Sequence, residues 1–305
     1  MNHQPYYINL IISNNMFTTK YLIRKRQIGD VIWIEPLIRE LAKRHKKIIV
    51  FTKYNDLFKN YPCPNVIFKN KLNFLELLIT KIEHLLKSKF ISINLNMAYE
   101  RNSKKHFLHA YQEKVGLPYT SEYPKIYLST EESETNLVSS SKYVILHLES
   151  LSDRNYRKVN GVNWEEVVFN IKKRGFEVFI LGKNPVSIVG ATKISTNLRE
   201  LISILSKSSF FIGIDSGPSH IAASLSVPSL IFFGAVKPEY RHFKNLFKGI
   251  TLQQPCEFAG CYHEVRATKG PPCKLVSDKG IPKCSIHSTS SVINHIDLLI
   301  KSYVS

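Results

Sequence analysis

Short apolar runs alternate with amphipathic segments in the first half of the chain. The apolar spacing predicts a strand over residues 21–23, a tight turn at Gly29-Asp30, a helix from Val31 to Leu41 and a strand over 47–52. A helical pattern over 72–86 and a buried strand over 90–95 follow. Strand, helix and strand in this order form a β-α-β unit, which predicts a parallel sheet with right-handed crossovers.

The same alternation begins again in the second half. Strands are predicted over residues 143–148, 177–181, 210–214 and 229–233, with helices over 164–173, 198–205 and 221–225. The run 129–141 between the halves is rich in Ser, Thr and Glu, so we place a domain boundary near residue 140. The sequence therefore predicts an α/β protein with two Rossmann-like domains, residues 1–140 and 141–305.

Composition narrows the class of protein. Hydrophobic residues make up 44% and charged residues 22%, which excludes wholesale disorder, collagen and coiled coils. No apolar run reaches the roughly 18 residues of a membrane span, and residues 1–17 lack a signal peptide's basic start and cleavage site, so we expect a cytoplasmic protein. The net charge of +18 favours an anionic partner, such as nucleic acid, an acidic glycolipid or a phosphorylated small molecule.

A turn in the second half carries a signal for anion binding. A buried strand is predicted to end in DSGPSH, residues 215–220, and Pro218 suits the first turn of a following helix. Free backbone N–H groups of Gly217, Ser219 and His220 are expected at the carboxyl end of the sheet, where a helix N-terminus favours phosphate. The alternative is an ordinary strand-to-helix turn with a capping serine.

Two motifs in order resemble glycosyltransferase family 9, the ADP-heptose heptosyltransferases. The second-half motif comprises the Asp-Ser-Gly-x-x-His turn followed by Ala222-Ala223, Pro228 and Phe233-Gly234. The first-half motif is Gly29-Asp30-Val31 after a strand, with Pro36 in the next helix. The resemblance covers most of residues 21–300. It implies a GT-B architecture, in which two Rossmann-like domains face each other across a cleft, the first binding the acceptor and the second the nucleotide sugar.

The resemblance also implies an inverting transfer that needs no catalytic cofactor or metal. A carboxylate would take the proton of the acceptor hydroxyl, and Asp30 occupies the family's position for this base. The alternative is that Asp30 caps the following helix. A cation would neutralise the diphosphate. Lys158, Arg157 and Arg154 are its candidates, although their spacing from the next tryptophan departs from the family's pattern, and a solvated loop charge is the alternative for each.

The predicted nucleotide-sugar site combines these cations with the turn. Asp215 is expected to bind sugar hydroxyls rather than to act as a base, because a neighbouring diphosphate would repel its charge. His220 would donate to the diphosphate or orient the turn, and a structural histidine is the alternative. The full predicted set is Arg157, Lys158, Asp215, Ser216, Gly217, Ser219 and His220.

Four cysteines lie in a segment that is rich in glycine and proline: Cys256, Cys261, Cys273 and Cys284. In a cytoplasmic protein, a structural zinc or iron explains four thiols better than disulfides do, because thiolate ligands replace a missing core. No Cys-x-x-Cys pair is present, so reduced or reversibly oxidised thiols are the alternative. In the family that the chain resembles, the iron-bearing autotransporter heptosyltransferases show that such a cysteine cluster can bind a metal. We expect the four cysteines to lie close together, at the surface and away from the reacting carbon.

The predicted function is transfer of a heptose-like sugar from a nucleotide diphosphate, ADP-heptose by resemblance, to a glycan, lipid-linked or protein acceptor. The resemblance implies a role in lipopolysaccharide biosynthesis. Basic runs at 24–26 and 43–47 would steer an anionic acceptor and hold the enzyme peripherally at the inner membrane surface. One alternative is a nucleic-acid-binding protein with a cysteine metal module, but no nucleic-acid-binding signature is present. A catalytically silent GT-B binding module is another, and Asp30 argues against it.

Overall fold

The computed structural model describes residues 19–86, 91–100, 104–134, 138, 142–149, 157–258, 260–261, 273 and 281–304. Contacts divide the chain into two units, Met1–Tyr127 and Leu128–Ser305. None of the described helices is both long and apolar enough to span a membrane.

The first unit is built on a parallel sheet. Its strands are β1 (Thr19–Ile23), β2 (Lys47–Phe51), β3 (Val66–Lys69) and β4 (Ser92–Asn94), in the order β3-β2-β1-β4. In the register, Tyr21 of β1 lies between Ile49 of β2 and Ser92 of β4. The helices are α1 (Ile28–Ile32), α2 (Glu35–Ala42), α3 (Phe74–Leu85) and α4 (Phe107–Val115).

The predicted helix after β1 is divided into α1 and α2. Pro36 lies in the first turn of α2, and α1 ends at Ile32, four residues earlier. A proline has no N–H to donate to the carbonyl four residues before it, and its ring clashes with that carbonyl. The helix therefore breaks at this point, while the apolar side chains of Val31 and Leu37 remain buried on both sides of the break.

The second unit is a larger parallel sheet covered by helices. Its strands are β5 (Tyr143–His147), β6 (Glu177–Leu181), β7 (Thr192–Ile194), β8 (Phe210–Ile214), β9 (Ser229–Phe233) and β10 (Gly249–Gln253). The helices are α5 (Thr130–Glu134), α6 (Trp164–Lys173), α7 (Leu198–Lys207), α8 (Gly217–Ser224) and α9 (Thr289–Tyr303). β5, β8 and β9 are buried throughout, as expected for parallel strands with both faces covered.

The strands of the second unit are parallel and lie in the order β10-β9-β8-β5-β6-β7. The side of the sheet on which successive strands are added switches at β5. The chain first adds β6 and β7 on one side of β5 and then crosses to β8 on the other. In open α/β sheets, ligands bind at the carboxyl ends of the strands where such a reversal occurs. The topology therefore places a candidate binding site at the ends of β5 and β8.

The division between the units falls between Tyr127 and Leu128, whereas the sequence predicts it near residue 140. Helix α5 explains the difference, because it is anchored to α7 of the second unit. Arg199 Nε donates to Glu132 Oε1 at 2.8 Å, and Ser203 Oγ donates to the Glu132 carbonyl oxygen at 2.7 Å. The polar run that looks like a linker thus begins as a packed helix.

Candidate active site

The turn at residues 215–220 lies at the carboxyl end of β8, beside β5. Helix α8 begins there at Gly217, with Ser216 as its N-cap residue and Pro218 in its first turn. The first N–H groups of a helix have no partner four residues earlier within it, and they carry a partial positive charge. The predicted turn therefore stands where the sheet topology places a ligand.

Two serines fix the shape of this turn. Ser219 Oγ accepts a hydrogen bond from the Ser216 N–H at 3.0 Å and donates to the Ser216 carbonyl oxygen at 2.7 Å. The Ser216 hydroxyl lies 3.2 Å from Nδ1 of His147, the last residue of β5. Because Ser219 is fully buried, its hydroxyl stabilises the turn and does not face a ligand.

His220 is also turned inward. Its ring is buried and stacks on His242, with 5.3 Å between the ring centroids. The prediction that the backbone N–H of His220 is free is wrong, because this backbone N–H donates to the Ser216 carbonyl oxygen at 3.3 Å as the first hydrogen bond of α8. A helix of standard geometry makes this bond as soon as it begins.

Asp215 is surrounded by cationic groups and hydrogen-bond donors. Its Oδ1 lies 3.3 Å from His220 Nε2 and its Oδ2 3.6 Å from Arg241 Nε, while Arg157 donates to its carbonyl oxygen. Burial alone raises the pKa of Asp215, but the hydrogen bond from His220 and the charges of Arg241 and Arg157 outweigh it and hold the pKa well below its usual range. The carboxylate is therefore ionised at neutral pH, and its charge is locally offset.

His147 places a neutral imidazole beside the turn. Burial lowers its pKa to about 4, with a smaller contribution from Arg157 in the same direction and an opposing one from Glu149. At neutral pH the ring is uncharged, so it adds hydrogen-bonding capacity without repelling the arginines nearby.

An open pocket of ≈ 350 Å³ adjoins the turn, at the carboxyl ends of β8 and β9. Its lining comprises Arg157, Lys158, Ile214, Asp215, Phe232, Phe233, Gly234, Ala235, Val236 and His287. Arg157 is half-buried and Lys158 is exposed. The structure thus brings two of the three predicted cations to the turn, whereas Arg154 lies outside the described residues.

In the first unit, Asp30 belongs to a buried charge cluster. Arg24 donates through Nη2 to Asp30 and to Glu100 Oε1, the latter at 3.2 Å, and through Nη1 to the Leu95 carbonyl oxygen at 3.1 Å. The N-cap residue of α1 is Gln27, and no side chain caps that helix. The capping alternative for Asp30 is therefore wrong.

The charge on Arg24 is strongly favoured in this cluster. Burial opposes it, but Tyr111, Asp30 and Glu100 together raise the pKa of Arg24 above its ordinary value. The guanidinium carbon lies 5.5 Å from the ring centroid of Tyr99 and 5.8 Å from that of Tyr111. The cluster therefore places a permanent positive charge directly beside both carboxylates.

Three polar atoms of the cluster are buried without a hydrogen-bond partner among the described residues: Arg24 Nε, Glu100 Oε2 and the Tyr111 hydroxyl. Buried polar groups in native proteins are normally paired. An acceptor oxygen and two donors with unused capacity, all next to Asp30, suit a polar ligand such as a sugar hydroxyl.

A family model connects the part of the chain that contains the turn at residues 215–220 to known proteins. The model of glycosyltransferase family 9 (heptosyltransferase) matches residues 83–258, which is more than half of the chain. The chain belongs to this family. It is therefore a glycosyltransferase of the heptosyltransferase family, and the prediction that the chain is a glycosyltransferase is confirmed.

Relatives of this family 9 enzyme include lipopolysaccharide heptosyltransferase 1 of Campylobacter coli, which is 26% identical over an alignment of 300 positions that covers 74% of this chain and 86% of that protein. Among solved structures, the iron-containing dodecameric glycosyltransferase TibC of enterotoxigenic E. coli H10407 has a TM-score of 0.72 at 17% identity, covering 94% of this chain and 78% of its own. A second TibC structure contains ADP-D-β-D-heptose. ADP-heptose lps heptosyltransferase II of E. coli has a TM-score of 0.61 at 14% identity, and the match covers 94% of this chain and 100% of that chain. These likenesses confirm the predicted α/β fold of the GT-B class.

The four late cysteines of the family 9 enzyme come together in the second unit. Cys256 and Cys261 pack against buried Cys284 and Ala235. Burial, with smaller contributions from the neighbouring thiols of Cys273, Cys256 and Cys261, raises the pKa of Cys284 to about 12. The predicted convergence is thus observed, and none of the four forms a disulfide, but Cys284 is buried and not at the surface as predicted. Among the described residues, no group of three or more His, Cys, Asp or Glu is arranged to hold a metal ion.

Several site residues of this family 9 enzyme do not stand out in its sequence, among them Arg241, His147, Glu100 and Tyr111. Arg241 lies seven residues after Gly234, the last residue of the second-half motif, and nothing local shows that it turns back to Asp215. His147 ends a buried strand, and Glu100 follows another. A polar residue at the end of an apolar strand of a parallel sheet is the signal that could have found His147, because such residues meet at one edge, whereas Glu100 lies six residues beyond β4.

Proposed function

We propose that this enzyme transfers a heptose-like sugar from ADP-heptose to an acceptor hydroxyl, with inversion and without a catalytic metal. The observation that carries the donor assignment is the charge-balanced turn of Asp215 at the start of α8, next to a pocket with two cations. The TibC complex with ADP-D-β-D-heptose supports the choice of donor.

The diphosphate of the donor is proposed to lie between Arg157, Lys158 and the start of α8. Arg157 is already oriented by its hydrogen bond to the Asp215 carbonyl oxygen, and Lys158 is exposed at the same pocket. Because His220, Arg241 and Arg157 offset the charge of Asp215, an approaching diphosphate is repelled less than by an isolated carboxylate. As the sugar leaves, these cations and the helix N-terminus stabilise the negative charge on the diphosphate.

Each turn residue has a separate proposed role. Asp215 binds sugar hydroxyls through the hydrogen-bond acceptor positions that His220 and Arg241 do not occupy. It does not act as a base. His220 orients Asp215 and the turn, since its ring faces that carboxylate. Ser216 and Ser219 hold the turn together, and Gly217 allows close approach of the anion.

Asp30 is the proposed general base. The acceptor hydroxyl attacks the anomeric carbon of the heptose, the bond from this carbon to the diphosphate breaks, and the hydroxyl proton passes to the Asp30 carboxylate. Arg24 places its positive charge directly beside the Asp30 carboxylate and holds it in position. The unused hydroxyl of Tyr111 would orient the acceptor.

The four cysteines are proposed to hold a structural iron or zinc. Four thiols form a soft donor set of the kind that both metals accept, and TibC is described as iron-containing. In the metal-free chain, burial disfavours the Cys284 thiolate, and a cation would reverse this preference. The metal would cross-link the segment around Cys256 and Cys284, and it takes no part in the transfer.

The proposed acceptor is a glycan, lipid-linked or protein hydroxyl, and a place in lipopolysaccharide biosynthesis follows the Campylobacter coli relative. The proposed location is the cytoplasm, with peripheral association at the inner membrane surface.

Titration calorimetry with ADP, GDP, UDP and ADP-heptose tests the donor site. We expect the adenine compounds to bind best and Lys158→Ala to weaken binding by about tenfold, the typical effect of losing one charge-assisted hydrogen bond. Lys193→Ala on the strand β7 removes the same charge elsewhere and should change nothing. No binding of ADP or ADP-heptose, or equal losses in the two variants, would show that the donor does not lie here.

A further inference from the structure

Helix α3 of the first unit has its polarity reversed. Its buried side carries Glu76, Thr80 and Glu83, which are only 6–7% exposed. Its outward side carries large apolar residues, from Phe74 at 78% exposure to Leu85 at 81%. The complete apolar set is Phe74, Leu75, Leu77, Leu78, Ile82 and Leu85, and we call it the α3 face. A surface helix of a water-soluble domain normally buries its apolar stripe and exposes its polar one.

Specific hydrogen bonds hold the polar side of α3 inward. Glu76 accepts from Lys69 Nζ at 2.5 Å and from the Asn73 N–H at 2.9 Å. Glu83 accepts from the N–H groups of Ile91, at 2.6 Å, and Ser92, at the start of β4. Turning the helix to hide its apolar side would leave both carboxylates without these partners, at a substantial energetic cost. The apolar side therefore stays outward and needs a partner outside the unit.

The charges of α3 indicate which partner this is. Of the helix's residues Glu76, Lys81 and Glu83, only Lys81 is exposed, and helical spacing places it between Leu78 and Leu85. A second copy of the chain packed on this face would bury Lys81 in an apolar interface without an acidic residue of α3 to pair with. In a bilayer interface, by contrast, the lysine stem lies along the acyl chains and its ammonium reaches the lipid phosphates.

Length and net charge agree with a lipid partner. Twelve residues form a helix of about 18 Å, which is too short to cross a hydrocarbon core of about 30 Å but long enough to lie in its surface. Lys71, just before the helix, is exposed as well, and the whole chain carries a net charge of +18. Anionic lipids attract such a protein over several ångströms.

We propose that the α3 face is a membrane-docking surface, which lies flat in the interface of a bilayer that contains anionic lipids. This assignment differs from the basic runs considered in the sequence, because apolar insertion contributes the main part of the binding. It goes beyond the proposed transfer reaction and does not depend on it. Docking would bring the enzyme to an acceptor that is attached to a lipid.

Vesicle sedimentation with a matched pair of variants tests the proposal. Phe74→Glu/Leu85→Glu changes two exposed apolar residues of α3. Phe169→Glu/Leu298→Glu makes the same change at exposed positions on α6 and α9 of the second unit. The vesicles contain phosphatidylcholine alone or with a quarter phosphatidylglycerol. Circular dichroism and thermal unfolding confirm that both variants fold.

We expect the unchanged protein to bind the anionic vesicles, and the α3 variant to lose about tenfold or more of this affinity. The second-unit variant has the same net charge as the α3 variant, so it controls for the added negative charge. Its affinity should stay within about twofold of that of the unchanged protein, because its altered side chains lie outside the α3 face. Lys81→Ala should weaken binding to anionic vesicles by about fivefold and leave the weak binding to neutral ones unchanged.

Three outcomes would overturn the proposal: no vesicle binding by the unchanged protein, equal losses in the two double variants, or an oligomer in light scattering that only the α3 variant dissociates. The last outcome would assign the face to a second copy of the chain. Calorimetry with ADP-heptose runs in parallel without lipid, so a failed docking surface and a failed donor site give different results.

Discussion

Asp30→Asn, compared with Glu100→Gln, tests the assignment of the base. Both carboxylates pair with Arg24, and both are buried. Each substitution removes one negative charge, keeps the shape of the side chain and leaves the other carboxylate in place. Only Asp30→Asn removes the proposed proton acceptor, so the pair separates the loss of a base from the loss of charge in the cluster.

The contacts set the size of the two effects. A hydrogen bond to a charged group contributes about 1.5–3 kcal/mol, so each variant should lose roughly that much free energy of unfolding. In both, Arg24 keeps one carboxylate and the Leu95 carbonyl oxygen. A positioned general base contributes about 100-fold to 10,000-fold in rate, which corresponds to about 3–5 kcal/mol in activation free energy. The variants should therefore match in stability and differ in turnover.

Urea unfolding measures the stability of both variants, and calorimetry measures their affinity for the donor. Turnover is measured as the release of ADP from ADP-heptose in the presence of an acceptor that the unchanged enzyme uses. We expect Asp30→Asn to lose at least about 100-fold in turnover, with donor affinity nearly unchanged. Turnover within about threefold of the unchanged enzyme refutes the role of Asp30. An equal loss in Glu100→Gln refutes it too, since the charge of the cluster would then explain the effect.

Three further predictions concern the second unit. Gly217→Val should weaken ADP-heptose affinity, because a branched side chain blocks the approach to the start of α8, and unchanged affinity in a folded variant would contradict this. Stability should fall as the pH drops from about 6.5 to about 4, because the folded pKa of His147 is about 4 and the unfolded chain takes up that proton first. Urea unfolding across this range should show a smaller slope in His147→Asn, and an unchanged slope would refute the cause. Elemental analysis should find about one iron or zinc per chain and none in Cys284→Ser, whereas metal-free protein with four titratable thiols would defeat the metal proposal.

Local patterns were enough to predict most of the second unit. The strands β6, β8 and β9 and the helix α6 have the bounds that apolar runs and periodicity indicate. The helix α9 and the edge strand β10 were missed. β10 is partly exposed along its whole length, so it lacks the continuous apolar run that marks a central strand.

The site was predictable only where its residues are neighbours in sequence. The turn from Asp215 to His220 is one segment, and a motif finds it. The contact between Asp215 and Arg241 joins two segments that follow different strands, and it depends on the order of strands in the sheet. The pairing of Arg24 with Glu100 depends in the same way on β4 lying beside β1. The inward turn of His220 could not be predicted, because packing against His242 decides it.

The position of α9 has a consequence for synthesis on the ribosome. Val292, Ile296 and Leu299 of this helix are buried in the same core as Val167 and Leu230. They follow every strand of their sheet in the chain, so the sheet emerges first with one part of its apolar surface uncovered. The first unit has no such dependence, because its described strands and helices all precede residue 128. Domains fold from the N-terminus as they are made, so a nascent second unit should expose apolar strands, and recruit chaperones, until residue 299 has left the exit tunnel.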